Sequence, residues 1–151
     1  MKAIAVFNVT VTGTVTFEEE DSIVIHIKLK GLSKNGLHGF HVHEAGDLTD
    51  KCESMCAHFN PYNKQHGGPG SKNRHVGDLG NLKSDKNGNV NIRMIDTMIK
   101  LKGKANIIGR GLIIHADEDD LGNGLNDASK INGNSGKRIA CAIIGLSKDN
   151  F

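Results

Sequence analysis

The 151-residue sequence contains no tryptophan, five phenylalanines and a single tyrosine. It has no run of about 18 apolar residues, which excludes a membrane-spanning helix. Its formal net charge is only +2, without the basic surplus that marks a nucleic-acid partner. Cysteine is scarce, at positions 52, 56 and 141. The odd count leaves at least one thiol free if one intramolecular pair forms. The first residues, Met1 to Phe7, have a basic start but only a short, alternating apolar run with no plausible cleavage site. They read as a strand and not as a secretory leader. The expectation is a cytoplasmic protein of one domain, 1–151, and the plain reading of its cysteines is three free thiols. Asn8-Val9-Thr10 matches a glycosylation acceptor, but inside a strand pattern it reads as chance.

What the chain does have is glycine, 19 residues, and histidine, eight. Many glycines with few aromatics predict many turns and a β-rich fold. Six of the eight histidines fall within residues 36–78. Imidazole is the commonest metal ligand and suits zinc and copper. His41 and His43 are two apart, so on a strand both rings face the same way. Packing or solvation alone does not explain such a density.

Residues 3–9 alternate, and the run continues through Val11, Val15 and Phe17, with Gly13 read as a turn or bulge. Residues 18–21 form an acidic tip. Over 22–30, Ile23, Ile25, Ile27 and Leu29 share one face, the period of a half-buried strand. His26 on the other face reads as a surface residue. Asn35-Gly36 is a hairpin cue before a strand from Leu37 to His43. Periodicity then fails from Glu44 to about Asp78. A loop this long is usually functional, and metal bonds could order one that lacks a core of its own. A second hairpin is expected from residues 80–83 and 90–94 around Asp85-Lys86-Asn87-Gly88. Ile99, Leu101 and Ile107-Ile108 suggest further short elements. Gly111 to His115 reads as a buried strand delivering His115 at its end. A second long loop, 116–137, precedes a last apolar strand, 139–146. About eight short strands without a convincing helix predict an all-β fold, an antiparallel sandwich or barrel with two long functional loops.

The candidate ligands are His41, His43, His58, His66, His75, Asp78 and His115. Each short motif is weak alone, but seven ligands exceed one tetrahedral site. They could serve two metals if one ligand is shared, and histidine has the two ring nitrogens to do so. Taken in order, Gly36-Leu37-His38-Gly39-Phe40-His41-Val42-His43-Glu44, His58-Phe59-Asn60-Pro61, His66-Gly67-Gly68-Pro69, Arg74-His75-Val76-Gly77-Asp78-Leu79-Gly80-Asn81, His115 with Asp119-Asp120-Leu121-Gly122, and residues 133–141 closely resemble the copper/zinc superoxide dismutases over nearly the whole chain.

That resemblance implies a Greek-key arrangement of eight strands and a superoxide dismutase with copper and zinc as cofactors. It implies copper on His41, His43, His58 and His115, and zinc on His58, His66, His75 and Asp78. His58 would be the shared imidazolate and would pass protons while the copper cycles between oxidation states. Asp119 would link a copper histidine to a zinc histidine, and such outer bonds fix ring orientation. His38 would brace the backbone without binding metal. Arg138 would hold the superoxide anion, Cys52 and Cys141 would form a disulfide, and Cys56 would stay free. The implied partners are the substrate superoxide, a second copy in a homodimer, and a copper chaperone. The apolar dimer patch is expected near Ile108-Gly109 and residues 144–146, although Ala45 stands where a bulkier residue is common.

The chain departs from the family pattern in its second loop. Acidic residues, a lysine and a threonine usual near the site mouth align with Asp127, Ala128, Ile131 and Asn132, with Lys130 one place away. Steering of the anion is expected to persist through Arg138 and Lys130. Two other readings compete: a copper or zinc store or chaperone without turnover, and a β-sandwich interaction module with structural zinc alone. The full ligand set with Arg138 favours the enzyme over both.

Overall fold

Alternating apolar residues produce eight strands that wrap around one core. The computed structural model describes all residues, 1–151. The strands are β1 (Lys2–Asn8), β2 (Thr12–Glu19), β3 (Ile23–Lys30), β4 (Leu37–His43), β5 (Asp78–Lys83), β6 (Val90–Asp96), β7 (Gly111–His115) and β8 (Arg138–Leu146). Their hydrogen-bonded order is β5-β4-β7-β8-β1-β2-β3-β6, and every pairing is antiparallel. β8 joins the two halves, pairing Ala5 with Ile144 on one side and Ile113 with Cys141 on the other. The result is a nearly closed barrel whose two edges, β5 and β6, are not hydrogen-bonded to each other. Helical structure is confined to three short 3-10 turns, and no helix is long and apolar enough to cross a membrane.

The core follows the period-two pattern. Ile23, Ile25, Ile27 and Leu29 are buried with Phe17 and Val15 across from them on β2. β4 departs from simple alternation, since residues 38–43 are buried on both faces. Phe40 and Val42 enter the apolar core, while His41 and His43 face the other way under the long loops.

Three local expectations change. Gly13 lies inside β2, opposite Phe7 and Leu29, and the break in the pattern falls at residues 9–11. Asn35-Gly36 does not close a hairpin: β3 pairs with β2 and β6, while β4 pairs with β5 and β7. Asn35 N donates to the Asp85 carbonyl and Gly36 N to Ser84 Oγ. The Asn-Gly turn is therefore tied to the 84–89 turn and carries the chain from β3 across to β4, on the other side of the barrel. Residues 80–83 and 90–94 likewise lie on opposite edges and form no hairpin. Of the short elements suggested near 99–108, the structure holds one isolated bridge, Lys100 to Asn106.

Candidate metal centre

The long first loop is ordered against β4 by backbone pairing. Val42 N donates to the Gly77 carbonyl, Phe59 N to the Val42 carbonyl and Gly77 N to the Phe59 carbonyl, at 2.9, 2.8 and 3.0 Å. A Cβ on Gly77 would stand 2.1 Å from the Val42 carbonyl oxygen, so only glycine lets the loop approach this closely. His43 and His58 form a further bridge. These contacts bring His58, His66 and His75 from the loop, and Asp78 from the first residue of β5, beside His41 and His43. β7 adds His115 from its end.

The seven residues converge. Ligand atoms of His41, His43, His58 and His115 lie within 4.8 Å of one another and all four residues are buried. A second such group holds His58, His66 and Asp78, with His41 as its fourth member and not His75. His75 is nonetheless adjacent, its Nδ1 being 3.2 Å from both Asp78 Oδ1 and His58 Nδ1. His58 lies at the centre. Its ring centroid is 4.0 Å from that of His41, 4.9 Å from His43, 5.1 Å from His66 and 5.3 Å from His75.

Each ring is anchored at one nitrogen and bare at the other. His41 Nε2 donates to Asp119 Oδ2 at 2.6 Å, His43 Nδ1 to the Cys56 carbonyl at 2.9 Å, and His115 Nδ1 to the Gly136 carbonyl at 3.1 Å. His58 Nδ1 is 2.9 Å from Asp78 Oδ1. The opposite atoms, His41 Nδ1, His43 Nε2, His58 Nε2 and His115 Nε2, are buried and have no hydrogen-bond partner. His66 Nδ1 is equally bare; it stands 3.0 Å from Asp78 Oδ1 without forming a hydrogen bond to it. Unpartnered buried nitrogens are costly unless something else binds them. A metal ion held by each group would supply the missing partner. On the Asp78 side, Oδ1 lies 2.9, 3.0 and 3.2 Å from the Nδ1 atoms of His58, His66 and His75. A tetrahedral zinc with bonds of about 2.0–2.1 Å has ligand-to-ligand edges of about 3.3 Å, so this cage is of the right size. The set of four nitrogens suits tetragonal copper.

Electrostatics fit the same division. Burial, with His58 beside it, pushes His41 down to about 3 despite Asp119. Burial likewise lowers His115 to about 4, and lowers His43 and His58. These rings are neutral at physiological pH, the form that binds metal. Burial would lower His66 too, but Asp119 and Asp78 outweigh it and hold that ring up at about 9. Burial would raise Asp119, but its hydrogen bonds from His41 and His66 hold it at about 2. Burial opposes ionisation of Asp78 as well, yet three histidine contacts keep its carboxylate well below the usual range.

The remaining predicted residues are placed as follows. Asp119 spans the two groups, with Oδ2 on His41 Nε2 and Oδ1 2.7 Å from His66 Nε2. Both ring nitrogens of His38 are partnered, by the His115 carbonyl and Ser33 Oγ, so it is no ligand. Arg138 donates to the Cys52 and Cys56 carbonyls at 3.0 and 2.6 Å. It lines a cavity of about 220 Å³ with His43, Ala57, His58, His115, Ile131, Asn132, Ser135 and Gly136. Cys52 and Cys141 form a disulfide, and Cys56 is a free, exposed thiol. Lys130 Nζ donates to the Gly122 carbonyl, and the residue lines an adjoining cavity of about 610 Å³ that shares Ala57, His58 and Ile131 with that of Arg138 and also includes His75.

Sequence reasoning missed two supports. The Cys56 carbonyl anchors both His43 and Arg138, a role no side-chain motif signals. Asn81, on β5, holds the second loop through paired bonds to the Asp119 backbone, at 2.9 and 2.7 Å. Its place in the matched Asp78-Leu79-Gly80-Asn81 segment was the only available hint.

The family model for copper/zinc superoxide dismutase (SODC) matches residues 11–144. The chain belongs to the copper/zinc superoxide dismutase family. It is 60% identical over 152 residues to the superoxide dismutase [Cu-Zn] of Paramecium bursaria Chlorella virus 1, covering 100% of this chain and 81% of that protein. It is 50% identical over 142 residues to the extracellular superoxide dismutase [Cu-Zn] of Drosophila melanogaster, covering 92% and 78%. The crystal structure of the clock protein EA4 superposes with a TM-score of 0.93 at 42% identity, covering 97% of this chain and 94% of that one. One expectation is overturned. The cytoplasmic assignment conflicts with the extracellular Drosophila relative and with the Cys52–Cys141 disulfide, a bond that persists in oxidising surroundings. The first residues of the chain were too weak a guide to compartment.

Proposed function

We propose that this member of the copper/zinc superoxide dismutase family disproportionates superoxide into dioxygen and hydrogen peroxide, an antioxidant activity. One observation carries the reading: four buried, unpartnered imidazole nitrogens converge beside a carboxylate cage, and His58 presents one nitrogen to each. In this reading His41, His43, His58 and His115 hold copper, and His58, His66, His75 and Asp78 hold zinc. Copper, when bound, supplies one-electron exchange with superoxide, while zinc supplies fixed positive charge.

The chain's own residues do the rest. Arg138 keeps its charge at any working pH, and the Cys52 and Cys56 carbonyls fix its guanidinium at the cavity wall. It binds the small anion there. The lining of that cavity includes no carboxylate, so nothing in it repels the substrate. His58 Nε2 faces the copper set; it would hold the metal and, whenever released from it, could carry a proton to the reduced product while Nδ1 keeps its place beside Asp78. Asp119 keeps the His41 and His66 rings in register. Arg138 meets the anion at the cavity wall, while Lys130, whose ammonium donates to the neutral Gly122 carbonyl and keeps its charge, acts only at longer range.

The same reading includes a homodimer. Val6, Ile143 and Leu146 are exposed apolar residues on the adjacent strands β1 and β8, and Gly145 faces open space. Ile144 turns into the core and is no part of that face. Delivery of copper by a chaperone belongs to the same proposal. The test is to measure copper and zinc per chain, then superoxide consumption before and after a copper-selective chelator. The expected result is two metals per chain and activity that leaves with the copper. Full loading without turnover refutes the enzyme and favours a metal store.

A further inference from the structure

The chain contains four Asn-Gly pairs, at 35–36, 87–88, 123–124 and 132–133. In three of them the glycine amide is engaged. Gly36 N donates to Ser84 Oγ, Gly88 N to the Asp85 carbonyl and Gly124 N to Ser129 Oγ, at 2.9, 3.0 and 2.9 Å. Gly133 N makes no hydrogen bond within the protein. Asn132 is exposed, and its Oδ1 accepts from Asn134 N at 2.9 Å, which polarises the side-chain amide and turns it toward the backbone that follows it.

We infer that Asn132 is a site of spontaneous deamidation that acts on the metal centre from within its own cavity. The Gly133 backbone nitrogen loses its proton and attacks Asn132 Cγ. The new N–Cγ bond closes a five-membered succinimide, the Cγ–Nδ2 bond breaks, and Nδ2 leaves as ammonia. Water then adds to one of the two imide carbonyls and reopens the ring to aspartate or iso-aspartate. The net change is one water consumed, one ammonia released and no electron transferred.

Two consequences follow from position. Asn132 lines the cavity shared by His43, His58, His115 and Arg138, where no lining residue is acidic. Deamidation adds a carboxylate to that lining, beyond the Glu53 carboxylate whose Oε2 already lies 3.9 Å from Arg138 Nε, and sets it against an incoming anion. The iso-aspartate form also lengthens the backbone by one methylene next to Gly133. That glycine has no slack, since a Cβ on it would stand 2.0 Å from Asp119 Oδ1 and 2.5 Å from His66 Nε2. Extra bulk here bears directly on the carboxylate joining the two ligand groups. The effect on turnover rests on the superoxide reading; the modification itself does not.

The test uses the metal-loaded protein, aged in mildly alkaline buffer, digested, and read by mass spectrometry at all four Asn-Gly pairs. Asn132 should gain the amide-to-acid mass ahead of Asn35, Asn87 and Asn123, and Asn132→Ala should show no change at this position. Conversion at Asn132 no faster than at the other three overturns the inference, whatever the activity. Independently, Asn132→Asp should lower kcat/KM for superoxide by roughly threefold to tenfold at low ionic strength, with the deficit shrinking as salt rises. An Asn132→Asp enzyme with an unchanged rate at low salt overturns the proposed effect on the centre.

Discussion

Replacing Cys56 with glycine should stabilise the protein, although it removes a side chain and adds no contact. Cys56 has φ 66° and ψ −140°. This lies near the conformation of the first central residue of a type II′ turn, where glycine is strongly preferred. A side chain held in such sparsely populated backbone regions costs of order 1–3 kcal/mol. Glycine removes that cost but enlarges the unfolded ensemble, which takes back about 0.4–1 kcal/mol. The thiol is exposed and its one hydrogen bond is to the Ser54 carbonyl, at 3.5 Å, so little packing is lost. The net gain is about 1 kcal/mol, or about 2–4 °C in Tm for a chain of this size. Cys56→Ala provides the control, because it discards the thiol and keeps the Cβ. Denaturation should be followed on metal-free, disulfide-bonded protein, since bound metals spoil a two-state treatment. Cys56→Gly should exceed both the parent and Cys56→Ala in midpoint. If the glycine variant is no more stable than the alanine variant, the backbone strain argued here does not exist.

His115→Ala should weaken copper strongly while leaving zinc affinity nearly unchanged, because His115 belongs only to the group of four nitrogens; equal loss of both metals in a competition titration contradicts that division. Asp119→Asn should lower affinity for both metals by about 10–100-fold each, since an amide cannot accept from both His41 Nε2 and His66 Nε2; chelator competition monitored metal by metal reads this, and a change confined to one metal counts against the bridging role. Zinc binding should release a proton from His66, which is held at about 9 in the metal-free protein and must be deprotonated to ligate. Zinc affinity should therefore rise with pH up to about 9, and calorimetry in buffers of different ionisation enthalpy should detect the proton; a pH-independent affinity refutes the raised value.

Most of the barrel was legible because half-buried strands write their period into the sequence. Ile23 to Leu29 show it most clearly, and β4 to β8 could be placed from short apolar runs. The two misread hairpins share one cause. A turn such as Asn35-Gly36 specifies a reversal of direction, not the strand that the chain pairs with afterwards. Here the partner is set by tertiary contacts, through Ser84 and Asp85. The convergence of the candidate ligands was legible to an unusual degree because they are side chains in recognisable segments. Their supports were not. The acceptors for His43, His115 and Arg138 are the carbonyls of Cys56 and Gly136, and a backbone carbonyl is the same in every residue. For Lys130, sequence placed its Cα one residue from the family position but could not show that its ammonium donates to the Gly122 carbonyl.

The position of Cys56 shows why the strain there is tolerated. Its carbonyl receives His43 Nδ1 and an Arg138 guanidinium nitrogen, so one peptide orients together the ring proposed to hold copper and the charge proposed to bind the anion. Four residues earlier, the Cys52 carbonyl holds the other arm of Arg138, and the Cys52 side chain is bonded to Cys141 on β8. Arg138 begins that same strand. The disulfide therefore closes a small circuit, in which the loop carrying the carbonyl acceptors is fastened to the strand carrying the arginine they hold. Turning the Cys56 peptide into a relaxed conformation would redirect its carbonyl and release both partners at once. A local cost of order 1–3 kcal/mol is then outweighed by two hydrogen bonds, one of them to a charged group and worth about 1.5–3 kcal/mol by itself. Glycine at this position would keep the same circuit without the cost, so the thiol is not required for the geometry of the site.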